Sequence, residues 1–273
     1  MAEKSAGGEE KERLLFGGMA RFRGIDFFGP NYASISERRE AEILIRIDRT
    51  SLGRPENPLM RRVSRWPIVR SFFLWGRVLL QVVGSVKGLV FLAGLLAVLW
   101  LGITLVEGLG VGGPTDGPLG FLAAFPILPL LFLFFAVMKF TSIGRYHGAE
   151  HKAVAAYEKY GEVTLEEAQR CGRIHSRCGT NILIYMFAAA ILEPFISWTP
   201  YIFLQFILIS EAWYTFGETR PSIAVGNFLQ KYFTTSEPAR SELEVAVESL
   251  SRLLEAEESG RAGTEKFEVP ARY

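Results

Sequence analysis

Two uncharged apolar runs constrain this chain more than any other feature. Leu89 to Val106 is eighteen residues without a charge, and Leu119 to Met138 is twenty more. A helix of that length reaches across the hydrocarbon core of a bilayer. A single such run also suits a buried core helix, but two close together point to a membrane domain. Thr180 to Trp198 is apolar except for Glu193, with Pro194 placed to kink it, and Tyr201 to Gly217 carries Glu211. Only Thr199 and Pro200 separate these two runs. They either span as a tight hairpin or dip in as a re-entrant pair. Apolar residues are 49% of 273, near the soluble average, so patterning carries this reading and composition does not. The first run comes too late for a signal peptide.

Basic residues give the orientation. Arg61, Arg62, Arg65, Arg70, Arg77 and Lys87 precede the first run, and Lys139, Arg145 and Lys152 follow the second. The loop Glu107 to Pro118 has no Lys or Arg. The positive-inside rule then places both termini in the cytoplasm of a multi-pass protein of the plasma membrane. A net charge of +1 gives no argument for nucleic acid as a partner. The expected surroundings are the lipid bilayer, with a substrate or membrane-protein partner that the sequence does not name.

The fold class this predicts is a mainly α membrane protein. It is a helical transmembrane bundle with a small N-terminal β unit and a C-terminal amphipathic helix. Residues 1–12 read as a charged, disordered tail. Residues 13–65 read as the β unit and a basic connector, in which Ile43, Ile45 and Ile47 alternate with Leu44, Arg46 and Asp48. Asn31 to Arg38 is its candidate hairpin partner. Residues 66–235 form the helical membrane domain, within which 145–180 is a cytoplasmic His/Cys segment. Arg70, Arg77, Gln81 and Ser85 put a thin polar stripe on one helix face, which suits either an interfacial helix or an inward extension of the first span. Residues 236–256 form the amphipathic helix, with Ser236 as N-cap and Leu243, Val247, Leu250 and Leu254 as its apolar stripe. Residues 257–273 are a tail.

All three histidines and both cysteines fall between His147 and Cys178. The segment opens His147-Gly148-Ala149-Glu150-His151, an H-x-x-E-H pattern. On a helix, positions i and i+4 share a face, so His147 and His151 can chelate one ion. Glu150 flanks that face and can serve as general base toward a water that the metal activates. The same pattern marks the inverzincin class of metallopeptidases. A second arm, Cys171 to Cys178, brings His175 and Cys178 at i and i+3. Between the arms, Thr164-Leu165-Glu166-Glu167 reads as a capped helix start. Mixed His and Cys donors favour zinc, with another divalent transition metal as the alternative. Three histidines with an open position make a catalytic site, whereas adding Cys178 closes the shell and makes a structural one. Cys171 and Glu211 are possible additional ligands. Glu193 and Glu211 also fit a transporter that uses intramembrane acids. A Cys171–Cys178 disulfide is not expected in a reducing compartment.

Tyr146-His147-Gly148-Ala149-Glu150-His151-Lys152, His175-Ser176-Arg177-Cys178-Gly179-Thr180 and Thr234-Thr235-Ser236-Glu237-Pro238 together resemble the YqhQ-like family of multi-pass membrane proteins. The resemblance runs from Gly17 to Leu254. It implies a metal-dependent enzyme of unstated substrate, built on a β region, a helical membrane domain and this His/Glu/Cys constellation. Gly17 and Gly18 match the family's N-terminal glycines, while Arg23 stands where the family has an acid and Phe28 where it has a base. The functional expectation is metal-assisted hydrolysis at the membrane face. His147, His151, His175 and Cys178 are the metal residues and Glu150 is catalytic. A structural or sensory metal site in a membrane scaffold is the alternative.

Overall fold

The computed structural model describes residues 16–40, 42–49, 66–83, 127–196, 202–260 and 266–270, with short pieces between 62 and 104. The chain divides into two compact units. One gathers Met1–Gly53, Arg145–Arg173 and Glu237–Tyr273, and the other Arg54–Gly144 and Ile174–Ser236.

The first unit is built on an antiparallel sheet of five strands in sequential order. These are β1 (Gly17–Arg21), β2 (Gly24–Phe28), β3 (Tyr32–Arg39), β4 (Glu42–Arg49) and β5 (Lys266–Pro270). In β4, Ile43, Ile45 and Ile47 are buried while Leu44, Arg46 and Asp48 alternate with them, as the two-residue period of a half-buried strand requires. β3 and β4 pair in register from Tyr32↔Arg49 to Arg39↔Glu42. β5 joins the far side of β4, with Ile45 opposite Phe267.

Numbering helices through the whole chain, this unit holds most of α3 (Ser142–Tyr160), α4 (Leu165–Arg170) and α8 (Arg240–Ser259). Ile25, Phe27, Ile43 and Ile45 from the sheet meet Leu243, Val245, Leu250 and Leu253 of α8 in one core. Tyr146, Ala149, Ala153, Ala156 and Tyr157 of α3 join it. The small side chains at 149, 153 and 156 let this helix lie close, at three- and four-residue spacing on one face. Thr164 accepts from the Glu167 amide and Glu167 reaches back to Thr164, so α4 starts at the capped position the sequence predicts. α8 differs from its prediction. Its N-cap is Ala239, whose amide is held by Glu242, while Ser236 donates to the Lys139 carbonyl. Pro238 explains the shift, because the residue before a proline is pushed out of the helical region.

The second unit is helical. It contains α1 (Val69–Val83), α2 (Ile127–Phe140), a 3-10 turn (Gly179–Ile182), α5 (Leu183–Ile196), α6 (Ile202–Phe216), α7 (Arg220–Leu229) and a π turn (Gln230–Thr234). Leu131, Phe135 and Leu183 form a small core with Met186, Phe187 and Leu229. α1 and α6 are joined by polar side chains. Arg70 reaches both carboxylate oxygens of Glu211, Ser71 donates to it, and Trp75 donates to Ser210 and to the Phe206 carbonyl.

These helices overturn the transmembrane bundle. Among the described residues, no helix is long and apolar enough to cross a membrane. The second predicted span is described from Ile127 as fourteen residues, and the third opens on the 3-10 turn and continues as a helix of fourteen. The fourth is fifteen residues, about 22 Å at the rise of an α-helix against a hydrocarbon core of about 30 Å. Twelve of the eighteen residues of Leu89–Val106 lie outside the described residues, as do the Glu193 side chain and residues 199–200. The multi-pass reading, its plasma-membrane placement and the cytoplasmic orientation of both termini therefore fall with the bundle. Run length and absence of charge measured apolarity, and a chain can spend that on short helices packed against each other.

Candidate metal centre

α3 carries the H-x-x-E-H residues, and its spacing places both histidines on one face. The imidazoles of His147 and His151 lie with ring centroids 4.4 Å apart at 61°. Both are buried, at 5% and 4% exposure, and Glu150 is buried beside them at 8%. Burial of two imidazoles and a carboxylate within one helical turn is costly unless each is given partners or an ion.

His151 shows how the second residue segment sets up the first. Its Nδ1 lies 2.8 Å from the carbonyl oxygen of Arg173. A carbonyl only accepts, so Nδ1 carries a proton, and in the neutral ring Nε2 carries the lone pair. That is the tautomer a metal-binding imidazole needs, held by the backbone bond that ligating histidines commonly make. The Arg173 end is itself tied down. Its guanidinium sits 3.5 Å from Glu237, and Glu237 also pairs at 2.7 Å with Lys152, whose Nζ donates to the Gln169 carbonyl. Lys152 is buried, so this pair is shielded on one side from solvent.

Glu150 runs over the edge of the sheet. A Cβ placed on Gly18 of β1 would fall inside contact distance of Oε1 and Cδ of Glu150, and 2.7 Å from its Cγ. Glycine at 18 is what leaves room for this carboxylate.

In the second unit, Cys178 caps the 3-10 turn and is buried, with its Sγ 2.9 Å from Thr180 Oγ1. Burial pushes its thiol above the ordinary value, and the Thr180 hydrogen bonds oppose this. Gln230 fixes the loop before it. Its side chain accepts from the His175 amide and donates to the His175 carbonyl and to Asn181. On α3, the two buried imidazoles are the donor chemistry of a zinc-type ion.

In the second unit, His175 is half-buried. Cys171 packs against the apolar core of the first unit, and burial raises its thiol as well. Both cysteines are free thiols. Glu211 accepts from Arg70, Ser71 and the Ile68 amide. Arg70 holds its carboxyl below the ordinary range.

Sequence reasoning missed Gly18, Lys152, Arg173 and Glu237 as supports. A signal existed for three of them. Gly18 matches one of the family's N-terminal glycines, Glu237 lies inside the last stretch that carries the resemblance, and Lys152 closes the first. Arg173 acts through its backbone carbonyl, which side-chain identity does not reveal.

Residues 120–212 match a family described as "Protein of unknown function (DUF1385)". That stretch includes Glu150, all three histidines, both cysteines and Glu211. The chain is 29% identical over 150 residues to the "Uncharacterized protein YqhQ" of Bacillus subtilis (strain 168). The match takes in 48% of this chain, and the chain spans about half the length of that relative, 47%. These two matches support a YqhQ-like family. No solved structure matches the chain significantly.

Proposed function

We propose that this chain is a metal-dependent hydrolase in which His147 and His151 hold the ion. The observation that carries the reading is the buried pair on α3, with His151 locked by the Arg173 carbonyl in the metal-binding tautomer. The imidazole pair favours zinc, which supplies Lewis acidity when bound. Glu150 is the group in position to take a proton from an attacking water, because it projects from the same helix one residue before His151. Its burial favours a proton-transfer role over a solvated one.

Burial of His147 and His151, at 5% and 4% exposure, favours a second reading, a closed structural site. Glu150→Gln separates the two. The hydrolase reading expects unchanged metal stoichiometry and loss of complementation in a deletion strain. Full complementation by Glu150→Gln would leave only the structural site.

A further inference from the structure

We infer that the outer edge of β1 is the docking track for an extended peptide, laid down as an added strand beside Glu150. The inference rests on the hydrolase reading above and supplies its substrate class.

The ladder fixes which backbone groups are on offer. The Arg38 amide donates to the Arg23 carbonyl and the Gly29 amide donates to the Tyr32 carbonyl, so residues 23 and 29 direct their groups toward β3. Ile25 does so too, through Ser36 Oγ. In an antiparallel ladder these directions alternate, so Gly24, Asp26 and Phe28 face β1. Their partners are Arg21, Met19 and Gly17. The amides and carbonyls of Gly18 and Ala20 therefore point out of the sheet, where β1 is the terminal strand among the described residues. Gly17, Gly18 and Met19 are exposed. Two outward donor–acceptor pairs on one strand are the elements that strand addition uses.

The same strand meets the candidate catalytic carboxylate. Gly18 lies opposite Phe27, which is fully buried, so position 18 faces the core side of the sheet. It is there that Glu150 passes over the strand. A peptide hydrogen-bonded to Gly18 and Ala20 presents a backbone carbonyl next to Glu150. The step is hydrolysis. The oxygen of water bonds the carbonyl carbon, the C–N bond breaks, and the proton taken by Glu150 leaves on the amine. Charged edges and bulges usually block such strands, and Gly17-Gly18-Met19-Ala20 has neither.

The test is amide hydrogen exchange on the full-length, zinc-loaded Glu150→Gln chain, with and without a tryptic digest of unfolded casein as the peptide probe. The Gly18 and Ala20 amides are expected to slow about tenfold at saturating probe, the factor one ordinary hydrogen bond gives. Met19, already in the ladder, is expected to stay unchanged. Ala20→Pro removes an outward amide without touching the ladder and is expected to abolish protection at equal zinc content. The parent comparison stands even if that variant fails to fold. No protection by the digest would overturn the inference. So would protection in the protein alone that grows with its concentration, which assigns the edge to a second copy. Cleavage of the digest by the zinc-loaded wild type is read separately. Protection without cleavage contradicts the hydrolase reading and keeps the track, and cleavage without protection does the reverse.

Discussion

The Glu150 side chain occupies the space over Gly18 that any side chain at that position would need. Gly18→Val is therefore expected to destabilise the chain by about 1–3 kcal/mol, the usual cost of overpacking. The cost should shrink in a Glu150→Ala background, because the obstruction is then gone. A double-mutant cycle by urea unfolding reads the coupling. Additive costs would show that the two residues do not meet.

Glu211 joins α1 to α6 through Arg70, Ser71 and the Ile68 amide. Glu211→Gln is expected to cost about 2 kcal/mol, since it weakens charge-assisted hydrogen bonds. The pH dependence has a definite sign. Arg70 lowers the folded value of Glu211 below its ordinary 4.5, so its stabilisation is complete above 4.5 and is lost as pH falls through the folded value. Unfolding curves of parent and variant should converge in acid. A gap that persists unchanged at low pH would contradict the pairing.

Asp26 behaves oppositely. Burial raises its carboxyl above 3.8, against the opposing pull of Arg21. Its contribution is present below 3.8 and lost as pH rises through the folded value. Asp26→Asn should therefore be at least as stable as the parent at neutral pH, with the advantage vanishing in acid. A variant less stable at pH 7 would mean that the Arg21 pair outweighs desolvation.

The β2–β3 turn is held from afar by one carboxylate. Glu257 Oε1 accepts from the amides of Asn31 and Tyr32, and Oε2 from Asn31 Nδ2. Glu257→Ala is expected to cost about 2 kcal/mol, and Glu257→Gln less, because the amide keeps one acceptor. Thermal unfolding ranks the two, and an equal loss would assign the effect to packing.

Local signals were legible where one segment decides its own structure. The alternation at Ile43, Ile45 and Ile47 is the pattern of β4, and Thr164 with Glu167 caps α4. The H-x-x-E-H spacing gave the His147–His151 pair because helical geometry alone sets it. What failed was the step from apolarity to surroundings. Thr180–Trp198 reads as one run, yet its first residues form a 3-10 turn, and the acid at 211 pairs with an arginine 141 residues earlier. Ser236 failed as a cap because Pro238 moves the helix start. The supports of the site were hidden for a related reason. Gly18 contributes an absence of atoms and Arg173 a carbonyl, and neither advertises itself until distant segments meet.

The central claim is that α3 presents a metal-binding pair. Metal content of the purified full-length chain, beside His147→Ala and His151→Ala, tests it most directly. The expected result is about one equivalent of zinc in the parent, by the ligand logic of such sites, and its loss in both variants. A parent that takes up no divalent metal, or variants that keep it in full, would contradict the account.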